Sequence, residues 1–135
     1  MAADTKISAS GGNPQVTVSG GNLIRYRCQF FLEKPAGQNW PGTNSPLKFI
    51  HEVKLNKDHP PTDTFSLGDP AALEDLSLNW AIDMNIPGGV GGPLQFFAEV
   101  KVEQDGDEVM ETWSETGQLT TPQSISGFSE IKVNP

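Results

Sequence analysis

Two histidines, one cysteine and three tryptophans are the residues of this 135-residue chain whose types most readily carry chemistry. His51 sits in the run 47–55, where Leu47, Phe49, His51, Val53 and Leu55 alternate with Lys48, Ile50, Glu52 and Lys54. That places its imidazole on the apolar face of a strand, where a hydrogen-bonded core histidine is the expected role rather than an acid or base. His59 lies between Asp58 and Asp63, types that can ligate a metal or relay a proton. Pro60 and Pro61 beside it describe a rigid polar connection instead. Cys28 cannot form an internal disulfide or supply a zinc site by itself, and alternation points it into a core as an inert thiol.

Other patterns are weaker. The chain has no Gly-x-Ser-x-Gly elbow. Gly88-Gly89-Val90-Gly91-Gly92 lacks the Lys-Ser/Thr of a phosphate loop and leads into a strand, so it reads as an inter-strand loop. Glu103, Asp105, Asp107 and Glu108 supply oxygen ligands of the kind calcium takes. A tight turn splays such side chains apart, and a solvated hairpin that discourages edge pairing is the expectation. No catalytic residue, metal or cofactor is assigned.

Trp40 carries the strongest ligand-binding pattern. It lies in Gln38-Asn39-Trp40-Pro41-Gly42-Thr43-Asn44, a loop dense in amides and hydroxyls. A flat ring beside amides can stack on the C–H face of a sugar while directional hydrogen bonds hold its hydroxyls. Gln38, Asn39, Trp40 and Asn44 are therefore the candidate ligand residues, in a connection spanning 34–46. The competing role for Trp40 is a plug folded back over the open end of the fold.

The elements that must position these residues follow from period-two alternation. Residues 24–33, 47–55, 76–86 and 94–103 each place apolar side chains on one face and mostly polar ones on the other. One buried face and one wet face is how antiparallel sheets read; a buried parallel sheet shows unbroken apolar runs. Shorter strands are expected at Gln15–Val18, Thr64–Leu67, Val109–Trp113 and Ile125–Val133, the last bent near Gly127. Asp105-Gly106 marks a two-residue hairpin turn, with both central residues at positive φ. That turn pairs Val102 with Val109 and Ala98 with Trp113, but it sets Glu111 against Val100 on the inner face, a conflict that calls for a bulge or a frayed edge. Residues 70–75 hold a single helical turn, with Asp69 as its cap and Pro70 at its first position.

The expected architecture is all-β: one antiparallel β-sandwich of about eight strands, of immunoglobulin-like or jelly-roll topology, spanning 1–135 as a single domain. No apolar run approaches the ~20 residues of a bilayer helix, so no membrane partner is expected. Nine basic against seventeen acidic residues, a net charge of −8, argue against nucleic acid. The opening residues 1–6 lack the apolar core of a signal peptide, which favours a cytoplasmic location. Charge is uneven along the chain: residues 1–57 hold seven basic and three acidic residues, and 58–135 hold two basic and fourteen acidic. Interleaving of strands from both halves is expected to mix the two fields.

Three residues break the binary pattern. Phe31, Ile50 and Phe97 fall on the nominally wet faces of their strands, among Arg, Lys and Glu. If 24–33 runs antiparallel to 47–55, Phe31 faces Ile50, Glu33 faces Lys48 and Arg27 faces Lys54; Phe97 joins them only if its strand shares the sheet. An apolar cluster with a polar rim resembles an interface centre. The sequence thus points to a non-enzymatic structural or interaction protein, a homo-oligomer or part of a larger assembly. Glycan binding through loop 34–46 is the alternative.

Overall fold

A computed structural model describes residues 3–21, 23–56, 61–88 and 91–135. His59, Asp58, Gly89 and Val90 lie outside the described residues. The described residues form ten strands: β1 Thr5–Ser8, β2 Gln15–Gly20, β3 Arg25–Glu33, β4 Leu47–Leu55, β5 Thr62–Ser66, β6 Ser77–Asn85, β7 Leu94–Gln104, β8 Asp107–Glu108, β9 Trp113–Leu119 and β10 Gln123–Asn134. The helical element is a 3-10 turn, Pro70–Ala72, capped by the Asp69 carboxylate, which accepts from Ala71 N–H at 3.0 Å.

The strands form two sheets around one buried apolar cluster, a sandwich-like arrangement. The first sheet runs β1-β10-β6-β3-β4; the second runs β5-β2-β7-β8, with β9 also paired to β7. The four long alternating runs appear within one residue or so of their expected bounds. Two features depart from the all-antiparallel, eight-strand expectation. β1, a four-residue strand with little pattern of its own, pairs parallel to β10. It is anchored by buried Ile7 and by the hydroxyls of Thr5 and Ser129, 2.6 Å apart.

The second departure is in the strand expected at Val109–Trp113: residues 109–112 are not a strand, and Trp113 opens β9. Asp105 (φ 53°) and Gly106 (φ 85°) make the expected turn, pairing Gln104 with Asp107 and Glu103 with Glu108. Val109 N–H still reaches the Val102 carbonyl at 3.0 Å, but the chain then leaves the ladder and re-enters with Trp113 opposite Val100. Ala98 therefore faces Glu115, not Trp113. The detour removes the conflict over Glu111, which is exposed, while Met110 is buried. A buried unpaired carboxylate is far more costly than two residues out of register.

β4 holds the irregularity that matters most. Arg27 faces Lys54 as expected, but the register shifts between Phe30 and Phe31. His51 opposes Phe30 and Phe49 opposes Phe31, so Ile50 is the extra residue of a β-bulge. Phe31 therefore does not face Ile50, and Glu33 faces Leu47 rather than Lys48. A bulge flips the pleat: His51, Val53 and Leu55 keep the inward positions, and Leu47 and Phe49 turn outward. Half-buried Trp40 packs against the core at that end.

Charge does not mix as expected. The strands of the first sheet carry Lys6, Arg25, Arg27, Lys48, Lys54 and Lys132 against Glu33, Glu52, Asp83 and Glu130. Those of the second carry Lys101 against Asp63, Glu99, Glu103, Asp107, Glu108 and Glu115. Among the strands, the acidic excess sits on the second sheet.

Trp80 fills the centre of the core, edge-on to Trp113 with ring centroids 5.4 Å apart. Gly127 stands opposite it on β10, and a Cβ there would lie 2.6 Å from the indole Nε1. A packed indole cannot yield that space without disturbing its neighbours. Gly127→Ala should therefore destabilise the protein by about 1–3 kcal/mol, whereas Gly88→Ala, which meets open space, should change stability by less than about 0.5 kcal/mol. Urea denaturation of the two variants checks this.

Candidate functional site

The outer face of the first sheet is ordered in rows, because side chains two apart on each strand share a side. Lys54, Arg27, Asp83 and Ser124 form one row across β4, β3, β6 and β10, and Glu52, Gln29, Ala81 and Ser126 form the next. The third row is Phe49, Phe31, Asn79 and Phe128. The fourth is Leu47, Glu33, Ser77 and Glu130. Side-chain bonds tie these polar rows: Arg27 Nε donates to Glu52 Oε1 of the next row at 3.0 Å, and within the first row Ser124 Oγ donates to Asp83 Oδ1 at 2.5 Å. The Arg27 hydrogen bond holds the exposed Glu52 carboxyl below its usual range.

The third row is apolar and open. Phe31 and Phe49 meet edge to face at 5.7 Å. Phe49 is 52% exposed, Leu47 42% and Phe128 39%; with Leu23 these are the exposed large hydrophobic residues among those described. Phe31, Leu47, Ala81 and Phe128 border a hollow of about 390 Å³. On the far side of the row a larger groove of about 740 Å³ runs between the loop after β3 and the ends of β6 and β10. Asn79 and Phe128 line both. Asn79 Nδ2 donates to Glu33 Oε1 at 3.2 Å, while Asn79 Oδ1 is buried and accepts nothing from the described residues.

The candidate residues read from the sequence scatter over this geometry. Phe31 lies in the apolar row. Ile50, as the bulge residue, is half-buried against the core. Phe97 belongs to the second sheet, opposite Thr116, and does not join the other two. Gln38 and Asn39 line the larger groove; Trp40 and Asn44 do not. The Trp40 indole N–H donates to the carbonyls of Leu32 (3.2 Å) and Pro46 (2.9 Å), closing the two ends of its own loop. Lys34 and Lys48 hold their ammonium groups 4.7 and 5.0 Å from its ring centroid, within cation–π range.

His51 sits where the two sheets meet. Its Nε2 and Asp63 Oδ2 are 2.8 Å apart, and its ring stacks on Phe65 at 4.1 Å, so it links β4 to β5. The acidic hairpin uses its carboxylates on the backbone: Asp105 accepts from Gly12 N–H, and Glu108 accepts from Thr112 N–H. Among the described residues no three His, Cys, Asp or Glu side chains are grouped to hold a metal ion. The sequence reading missed Phe49, Leu47, Asn79 and Phe128. Phe128 was detectable, since alternation through Ile125, Ser129 and Ile131 puts it on the wet face. Phe49 was not, because only the bulge turns it outward. No protein-family model, curated protein or solved structure matches the chain.

Cys28 is fully buried at the centre of β3. Burial pushes its thiol up to about 12, and the nearby charges of Asp63 and Asp83 add to the shift. At pH 8 the native thiol is protonated and should react with a thiol-specific reagent such as Ellman's only as fast as the protein unfolds. In the unfolded chain it ionises near its ordinary value of 9.0. The folded state therefore binds more protons above that pH, and stability should fall between pH 9 and about 12. Cys28→Ala should flatten that slope, measured by denaturation across the range. Burial also raises Tyr26, and that residual slope should survive in the variant.

Proposed function

We propose that the protein is a non-catalytic interaction module that associates with a second copy of itself through the outer face of the β4–β3–β6–β10 sheet. The observation that carries this reading is the row Phe49–Phe31–Asn79–Phe128 with Leu47 beside it. Scattered exposed apolar residues are ordinary, but three of the four large ones among the described residues share this patch. Charged rows on either side supply the polar rim that interface centres carry. Charge placement also favours the contact. Two copies of a chain with net charge −8 repel, yet the strands of this sheet hold six basic and four acidic residues, so the apposed strands add no acidic excess of their own.

His51 is engaged by Asp63 and Phe65, and Cys28 is buried, which supports a binding role over nucleophilic or acid–base chemistry. Light scattering on the native protein should give a mass above the 14.6 kDa of one chain. Phe49→Lys, at a half-exposed site, should shift it to the monomer with an unchanged circular dichroism spectrum and thermal midpoint. A wild-type protein that remains monomeric at high concentration would overturn the reading.

A further inference from the structure

We propose that the 740 Å³ groove beside the aromatic row is a binding site for a neutral oligosaccharide, with Phe128 as the stacking platform and Gln38, Asn39, Ser77, Asn79 and Glu33 as hydrogen-bonding groups. The groove falls within the size range of small-ligand sites. Its floor crosses three strands along Glu33, Ser77 and Glu130, about 10 Å at the usual inter-strand spacing. One wall is the exposed ring of Phe128, and the other is the amide-bearing loop segment. Sugar hydroxyls donate and accept at once, and they match side-chain amides, a hydroxyl and carboxylates in the same space. The apolar C–H face of a pyranose matches a half-exposed aromatic ring.

The charges of the groove point to an uncharged ligand. Glu130 is paired with Lys132 at 3.2 Å, the Asp75 carboxylate acts on the same ammonium, Glu33 accepts from Asn79, and Lys34 rests over the Trp40 ring. No cluster of unopposed lysines or arginines lines it that would select a phosphate or sulfate. Asn79 Oδ1 adds a specific demand. A buried acceptor without a donor is destabilising, and a ligand hydroxyl at Asn79, which lines the groove together with Phe128, would supply that donor. The aromatic platform is thus Phe128 on the sheet and not Trp40, whose N–H already clamps its own loop.

The groove shares Phe128 and Asn79 with the row proposed for self-association, so a bound sugar competes with a second copy for that ring, and the experiment separates the two. The ¹⁵N-labelled full chain is titrated with cellohexaose, xylohexaose, mannohexaose and chitohexaose, and with a sulfated heparin hexasaccharide and spermine as charged probes. At least one neutral hexasaccharide should shift the backbone amides of Gln38, Asn39, Ser77 and Asn79. Phe128→Ala and Asn39→Ala should each weaken that binding about tenfold or more, the second at an exposed loop position that leaves the fold intact. Phe49→Lys, outside the groove, should bind at least as tightly as the wild type, and more tightly where a native dimer covers Phe128; loss of binding in this variant would also overturn the proposal. Failure of all four neutral sugars, binding of only the charged probes, or a greater loss in Trp40→Phe than in Phe128→Ala would overturn the proposal.

Discussion

One extra residue in β4 organises the face on which any recognition by this sheet depends. From Leu55 back to His51 the strand keeps its apolar side chains toward the core, and at Ile50 the register slips by one against β3. Past that point the pleat is reversed, so Phe49 and Leu47, which simple alternation would bury, stand in solvent beside Phe31. The bulge has a structural partner in Trp40. Its ring packs at that end of the core, and its N–H bonds to carbonyls at both ends of the loop joining β3 to β4.

The sheets are joined by a few polar side chains placed where apolar packing leaves backbone groups unpaired. Tyr26 Oη accepts from the N–H groups of Gly21 and Phe97 and donates to the Gly21 carbonyl, tying β3 to β7 across the core. Gly20 lies against its ring, where a Cβ would come within 2.6 Å. At the other end, the Gln104 amide accepts from Ser8 N–H and donates to the carbonyls of Ser8 and Gly12, holding the N-terminal segment. His51 and Asp63 close the β4–β5 corner. Each group is buried or half-buried and bonded, as interior polar groups must be. The two buried polar atoms without partners among the described residues are Trp80 Nε1, pressed against Gly127, and Asn79 Oδ1, beneath the open face. Asn79 lines both hollows on that face.

Charge and shape coincide on this molecule. The second sheet carries most of the strand carboxylates, alongside hydroxyl pairs such as Thr17–Thr64 and Ser19–Thr62, a surface that favours water. The first sheet carries mixed charge around an apolar row and a groove. A strongly acidic chain thereby keeps one sheet whose strands carry no acidic excess.

Alternation of side chains determined the all-β character, the four long strands and the burial of Cys28, Phe30 and Trp80, because period-two burial is a local property of a strand. The Asp105-Gly106 turn was equally legible, since its chemistry resides in two residues. The parallel β1–β10 pair, the detour at residues 109–112 and the assignment of Phe97 to the second sheet were not, because each depends on partners distant in sequence. The candidate site divides the same way. Phe31, Gln38 and Asn39 were read from their own strand and loop. Phe49 and Asn79 were brought beside Phe31 and Phe128 only by a register that three neighbouring strands fix together. A bulge leaves no mark in hydrophobic alternation until the neighbouring strand and the ring that fills the core behind it are known.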